Sequence, residues 1–143
     1  MSAPHPAVLD YPFAAPPAPG CTLAIAPGLL WLRMPLPFAL DHINLWLVDG
    51  EDGWTLVDTG YADAPTRTLW ERHCAETLGG RPLRRIVATH CHPDHLGNAA
   101  WLAERFACPV AMTHGEFVAA HAIIDERASH GVADTCALFA RHG

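Results

Sequence analysis

A mixed α/β (α+β) fold, with β-hairpins first and alternating helices and strands after them, is the class this sequence predicts. Apolar runs of strand length, separated by turns rich in Pro, Gly and Asp, crowd residues 21–58. Helical periodicity and short apolar runs then alternate as α, β, α, β, α, the order expected of helices packed on a sheet. With 143 residues, half of them apolar and 17% charged, the chain can build one packed core but not two.

Pro and Ala dominate residues 4–20, fixing φ and removing backbone donors, so residues 1–20 are expected to form an arm ahead of one domain over residues 21–143. CTLAI (21–25) and LLWLRM (29–34) read as strands around the turn Ala26-Pro27-Gly28, and PLPF then breaks the pattern. INLWLV (43–48) and WTLVD (54–58) form a hairpin across DGEDG, whose Asp and Gly residues accept turn conformations. Asp63 stands at an N-cap position with Pro65 in the first turn. Leu69, Trp70, Cys74 and Leu78 follow at helical spacing up to Gly79-Gly80. RRIVAT (84–89) reads as a strand, residues 98–106 as a helix, and residues 109–112 as a short strand. Thr113 and Glu116 have capping-box spacing, which opens a helix reaching Ile124, with a further helical stretch after it.

Nine Arg, no Lys and fifteen Asp and Glu give a net charge of -6, which disfavours nucleic acid as a partner. Arg81, Arg84 and Arg85 cluster before a strand and read as a solvated edge. Pro, Asp or Gly interrupts every apolar stretch long before membrane-spanning length, and the first twenty residues lack the cationic start of an export signal. A soluble, cytoplasmic protein with no membrane partner is expected. Five Cys without paired spacing read as reduced thiols.

Ten His are the unusual feature of the composition, and six residues concentrate the chemistry: His90-Cys91-His92-Pro93-Asp94-His95. They follow an apolar strand and precede Gly97 and a helix. Alternation at a strand end would turn His90 and His92 to one side, offering two imidazole nitrogens to one metal. Asp94 and His95 stand at the helix entrance, where a carboxylate is favoured by free amides and where both can turn to a second metal. At this chain's own frequencies, the four fixed positions arise by chance in about three of a thousand such chains, so a loop of surface histidines without metal is the weaker reading.

Thr89-His90-Cys91-His92-Pro93-Asp94-His95-Leu96-Gly97 resembles the metal motif T-H-x-H-x-D-H-x-G of the metallo-β-lactamase fold superfamily. Leu56-Val57-Asp58-Thr59-Gly60 is similar to a second family element, an Asp closing an apolar strand before Thr-Gly. The resemblance covers about Thr22 to Glu116. It implies the amino-terminal half of an αββα sandwich, in which His90 and His92 hold a first zinc and Asp94 and His95 a second, with iron or manganese as substitutes. Asp94 carries, besides its ligand role, a proton-handling role, and Asp58, Thr89 and Gly97 support the site. It also implies a hydrolase that activates water as hydroxide against an ester, thioester, lactone, amide or phosphodiester of a small-molecule substrate. The remaining ligands in the family, a third His, a bridging Asp and a last His, come from the second half of the sandwich. The chain is therefore expected to be truncated, and the alternative is a catalytically incomplete metal-binding or interaction module.

Other residues draw packing readings. Cys91 is expected to be a small buried hydrophobe rather than a thiolate. His42 and Trp46 are read as packing beside the hairpin, and His73 as part of a helical stripe. The Trp and Met residues are read as core. His114 is read as a helix-start residue, and His121, His130 and His142 as helical positions outside the ligand set.

Overall fold

The computed structural model describes residues 9–142. Six strands form one sheet in sequence order: β1 (Thr22–Ala26), β2 (Leu29–Pro35), β3 (His42–Gly50), β4 (Gly53–Val57), β5 (Leu83–Val87) and β6 (Val110–Ala111). β1 to β4 are antiparallel neighbours, whereas β4, β5 and β6 run parallel. The change of sense follows from the connections. Tight turns join the first four strands, and helices α1 (Ala64–Glu76) and α3 (Ala99–Phe106) lie in the longer crossovers that parallel strands require. The β3–β4 pairing runs out to Gly50 opposite Gly53, leaving Glu51-Asp52 as the turn. A Cβ at Gly53, φ 152°, would collide with the Pro82 carbonyl, so this crossing of chains needs glycine.

α1 starts as its composition dictates. The Asp63 side chain accepts from the Thr66 amide at 2.9 Å, with Pro65 in the first turn. The short α2 (Pro93–Leu96) precedes α3, and α4 (His114–Ile124) and α5 (Val132–His142) complete the chain. The strand expected to reach Thr89 stops instead at Val87, and the helix entrance expected at Asp94 and His95 is a separate short helix, α2, ahead of α3. The chain must bend there to bring the following residues back over the sheet end. The sixth strand is also shorter than expected, at Val110–Ala111.

One face of the sheet carries the core. Leu32, Met34, Leu45, Leu47, Leu56 and Ile86 are fully buried there with Trp70 of α1 and Leu102 of α3. On the other face the register lines up Trp31, Trp46, Val57, Val87 and Ala111 across five neighbouring strands. Trp31 and Trp46 stack there at 5.9 Å, half-buried. The reading of every Trp as core therefore holds for Trp54 and Trp70 and not for Trp31, Trp46 or Trp101, because strand alternation and helix register place the latter three at partly open positions.

Of the expected arm, residues 1–8 lie outside the described residues. Residues 9–20 contain no helix or strand, yet Pro17 and Gly20 are buried, and the Gly20 amide donates to the Arg33 carbonyl of β2 at 3.3 Å. Arg81 and Arg84 pair with Asp49 and Asp52 around the β3–β4 turn. All five cysteines are free thiols. Among the described residues no helix is long and apolar enough to cross a membrane.

Candidate metal centre

The loops leaving the carboxyl ends of parallel β4 and β5 meet, the usual place for a site on such strands. The Asp58 amide donates to the Val87 carbonyl at 2.9 Å, and the Thr59 amide donates to the His95 carbonyl at 2.8 Å. His90 and His92 do not sit on a strand, so strand alternation is not what aligns them. They lie on the bend between β5 and α2, with His92 at the N-cap of α2.

Asp58 organises this bend. It is 4% exposed and has φ 60°, a left-handed conformation that Asp tolerates better than most residues. Its Oδ1 accepts the Thr89 amide at 2.8 Å, and its Oδ2 accepts both the Thr89 hydroxyl and His95 Nδ1, each at 2.8 Å. A carboxylate only accepts, so the His95 proton sits on Nδ1 and Nε2 keeps its lone pair. That Nε2 faces Asp94 Oδ2 at 3.5 Å. The Thr89 hydroxyl, having donated to Asp58, accepts from His90 Nδ1 at 3.0 Å, which leaves His90 Nε2 bare. One buried carboxylate thus sets the tautomers of two imidazoles, directly for His95 and through Thr89 for His90.

The bare Nε2 of His90 accepts from Nδ1 of His92 at 3.1 Å, a proton that a metal ion between them would displace. Two ligands at zinc–nitrogen distance on a tetrahedral ion are about 3.3 Å apart, so this pair fits one ion with little movement. The His90 and His95 rings lie 3.8 Å apart, which puts the second pair, Asp94 with His95, beside the first. The convergence is pairwise. Among the described residues no group of three or more His, Cys, Asp or Glu is arranged to hold a single metal ion.

A second layer, in which Asn98 is the member the sequence does not announce, anchors the loops. Thr59, fully buried, donates its hydroxyl to the His95 carbonyl at 2.8 Å and accepts from the Asn98 amide at 3.1 Å. Asn98, also fully buried, reaches the carbonyls of Thr59, Gly60 and Tyr61 through Nδ2 at 3.3, 3.1 and 2.8 Å. Its position one residue before α3 reads as a cap, but its side chain makes no cap bond and ties the two loops instead. Gly97 lets them close: a Cβ there would run into the Pro93 carbonyl and stand 2.8 Å from the Ala62 amide nitrogen and 3.0 Å from the Gly60 carbonyl.

Glu116 also departs from its expected role. Thr113 caps α4 by accepting the Glu116 amide at 3.4 Å, but the Glu116 carboxylate accepts the Cys91 amide at 2.8 Å instead of completing a capping box. That amide, then the Cys91 thiol, and the nearby His90 and His92 hold the Glu116 carboxyl below its ordinary range. Cys91 is half-buried and not a core hydrophobe, because it lies on the bend facing α4. Burial, and then Glu116, push its thiol up, so it is no thiolate at neutral pH.

The remaining histidines among the described residues are scattered. His42 pairs with Asp41 at the start of β3, and His73 is buried in α1 beside Trp70. His114 opens α4, His121 lies against Phe117, His130 bonds the Ala128 carbonyl, and His142 ends α5.

This arrangement has relatives. The family model described as the metallo-beta-lactamase superfamily matches residues 39–133, which include the whole bend and Asp58. A beta-lactamase domain protein from Burkholderia ambifaria is 49% identical with a TM-score of 0.70, over 86% of this chain and 41% of that one. The metallo-beta-lactamase family protein TTHA1429 from Thermus thermophilus is 32% identical, also with a TM-score of 0.70, over 84% of this chain and 40% of that one. The probable metallo-hydrolase YqjP of Bacillus subtilis (strain 168) is 36% identical over 67 residues, 46% of this chain and 21% of the relative. The chain thus spans about two fifths of the length of these solved relatives. With the match running through both loops at the sheet end, the chain belongs to the metallo-beta-lactamase superfamily.

Proposed function

We propose that this chain carries the amino-terminal metal-binding portion of a metal-dependent hydrolase, with His90 and His92 holding one ion and Asp94 and His95 a second. The observation that carries this reading is the 3.1 Å approach of His90 Nε2 to His92 Nδ1, with His90 held in the ligating tautomer through Thr89 and Asp58. Nitrogen and carboxylate donors suit zinc, with iron or manganese as substitutes. Zinc, when bound, supplies Lewis acidity and draws a nucleophile from water near neutral pH.

The chain's own residues orient and tune. Asp58 holds His95 with Nε2 turned toward Asp94. Asp94, with its side chain 20% exposed, has an oxygen able to take a proton from water at the open side of the bend. The substrate class is a small ester, thioester, lactone, amide or phosphodiester. A polyanion is disfavoured by the acidic balance of the chain, and Arg81 and Arg84 of the arginine cluster are already paired with Asp49 and Asp52.

Zinc titration of the purified chain, followed by a hydrolysis screen over those bond types, tests the reading. Weak zinc binding is expected, since each ion meets two protein ligands where catalytic zinc generally has three. His92→Ala and Asp94→Ala should remove it, along with any zinc-dependent hydrolysis. Zinc uptake indifferent to both substitutions would sink the assignment.

A second reading, a metal-binding or interaction module without catalysis, draws on the pairwise arrangement in which no three donors surround one point among the described residues. Zinc binding through these residues without turnover of any bond type in the screen would favour it.

A further inference from the structure

We propose that Glu116 is a positioning residue for the His90–His92 pair, its carboxylate pinning the Cys91 amide so that the bend holds both histidines in ligating register. The proposal rests on the metal-site reading above and extends it to a residue on a different element.

The geometry isolates the Cys91 amide. It lies at the centre of the bend, directly between the two histidines, and among the described residues no backbone carbonyl accepts it. A half-buried amide without a partner would let the peptide plane rotate toward water. Rotation of either peptide at Cys91 swings His90 and His92 relative to each other, because each is one residue away. Glu116 Oε2 removes that freedom at 2.8 Å.

Topology makes the contact possible. β6 runs parallel to β5 with Val87 opposite Ala111, and the Ala88 amide donates to the Ala111 carbonyl at 2.9 Å. The two chains therefore leave the sheet side by side, one into the histidine bend and the other into α4. Thr113 starts α4 at once, which puts Glu116 in its first turn, within reach of the bend. A residue at this spacing would ordinarily turn back to cap its own helix. Here the carboxylate is spent on the bend.

Charge adds a second contribution. A carboxylate fixed on the bend lowers the potential between the two histidines that flank it, which favours a cation there. Gln at this position keeps the acceptor and loses the charge. Asp keeps the charge and loses the reach, and Ala loses both.

The test uses the full chain, labelled with nitrogen-15, as wild type and as Glu116→Ala, Glu116→Gln and Glu116→Asp. In the metal-free protein, Glu116→Ala should speed exchange of the Cys91 amide by about tenfold or more while amides of β3 and α1 keep their protection. The imidazole nitrogen shifts of His90 and His92 should move together with it. Cobalt(II), titrated as a coloured probe, should bind about 10- to 100-fold more weakly, as is typical when an outer partner of a ligand is removed. Glu116→Gln should restore the exchange rate and most of the affinity, and Glu116→Asp should restore neither.

An unchanged Cys91 exchange rate in Glu116→Ala overturns the proposal. So does acceleration spread evenly over β3 and α1, which would show a structural role alone. If the wild type takes up no cobalt through His90 and His92, the hydrolase reading falls separately. The positioning claim is then decided by the metal-free shifts, and unmoved His90 and His92 nitrogens reject it.

Discussion

The covered face of the sheet and the carboxyl ends of β4 and β5 are held by different physics. The first is closed by volume. Leu32, Leu45, Leu47, Leu56, Trp70 and Leu102 exclude water together, and many contacts share the stabilisation. The second is closed by a few directed bonds through three buried polar side chains, Asp58, Thr59 and Asn98. A packed face tolerates apolar substitutions that keep volume, whereas the bonded end does not tolerate a change of donor or acceptor.

The largest expected effect lies where the two regions touch. Trp70 is fully buried and also donates its Nε1 to the Thr59 carbonyl at 2.8 Å. Trp70→Ala should cost about 4 kcal/mol or more, combining a cavity with the loss of the shorter of the two bonds to the Thr59 carbonyl, as read from the denaturation midpoint. A loss below about 2 kcal/mol would mean that the covered face is far less tightly packed than it looks.

His73 breaks the contrast from inside the packed face. It is 1% exposed, its Nδ1 meets the Thr77 hydroxyl at 2.9 Å, and its Nε2 has no partner among the described residues. Burial, and then the Arg72 guanidinium, depress its pKa to about 4 from 6.5. Below the ordinary imidazole range the unfolded chain binds a proton that the folded chain refuses. Folding stability should therefore fall as pH drops from about 6.5 to about 4, by about 3 kcal/mol over the window. His73→Leu should flatten that part of the stability-versus-pH curve relative to the wild type. Parallel curves for the two proteins would show that His73 protonates without loss of structure.

Asp58→Asn sharpens the contrast with a smaller and differently placed effect. Asn also tolerates the left-handed backbone and can still accept the Thr89 amide. Its NH2, however, would face the Thr89 hydroxyl and His95 Nδ1, which reverses both bonds and moves the His95 proton to Nε2, the atom now directed at Asp94. Zinc affinity should fall about 10- to 100-fold, while the melting temperature shifts far less than in Trp70→Ala. Equal affinity in the two proteins would remove Asp58 from its role in setting tautomers.

Legibility in the sequence follows the same division. Periodicity and turn residues locate the hairpins, α1 and α3, because volume-driven packing is written in local alternation. The six-residue histidine motif locates the bend, and Asp58 is visible as the Asp closing an apolar strand. The bonds made by Thr59, Asn98 and the rerouted Glu116 are not visible, although Thr59 itself stands in the Asp-Thr-Gly element. Their partners lie 36 to 39 residues away for the first two and 25 for the third, and a polar residue near a helix start reads equally well as a cap. Nor does the motif itself show that a bend, rather than strand alternation, brings His90 to His92.

The smallest effect is expected in α5, where neither kind of closure operates. No α5 residue is buried, and Leu138 and Phe139 are 53% and 68% exposed. An apolar side chain in that position leaves little water-excluded area to lose, so Leu138→Ser and Phe139→Ser should each change folding stability by no more than about 0.5 kcal/mol. Leu102→Ala, at a fully buried position of α3, is the matched control and should cost about 2 to 5 kcal/mol. Both measurements belong in dilute protein, because an exposed apolar stripe of this kind also drives association. A cost above about 1 kcal/mol at Leu138 that disappears on dilution would place α5 in an interface between molecules. A cost that persists would place its apolar residues against the rest of the chain, in the same packed class as Leu102.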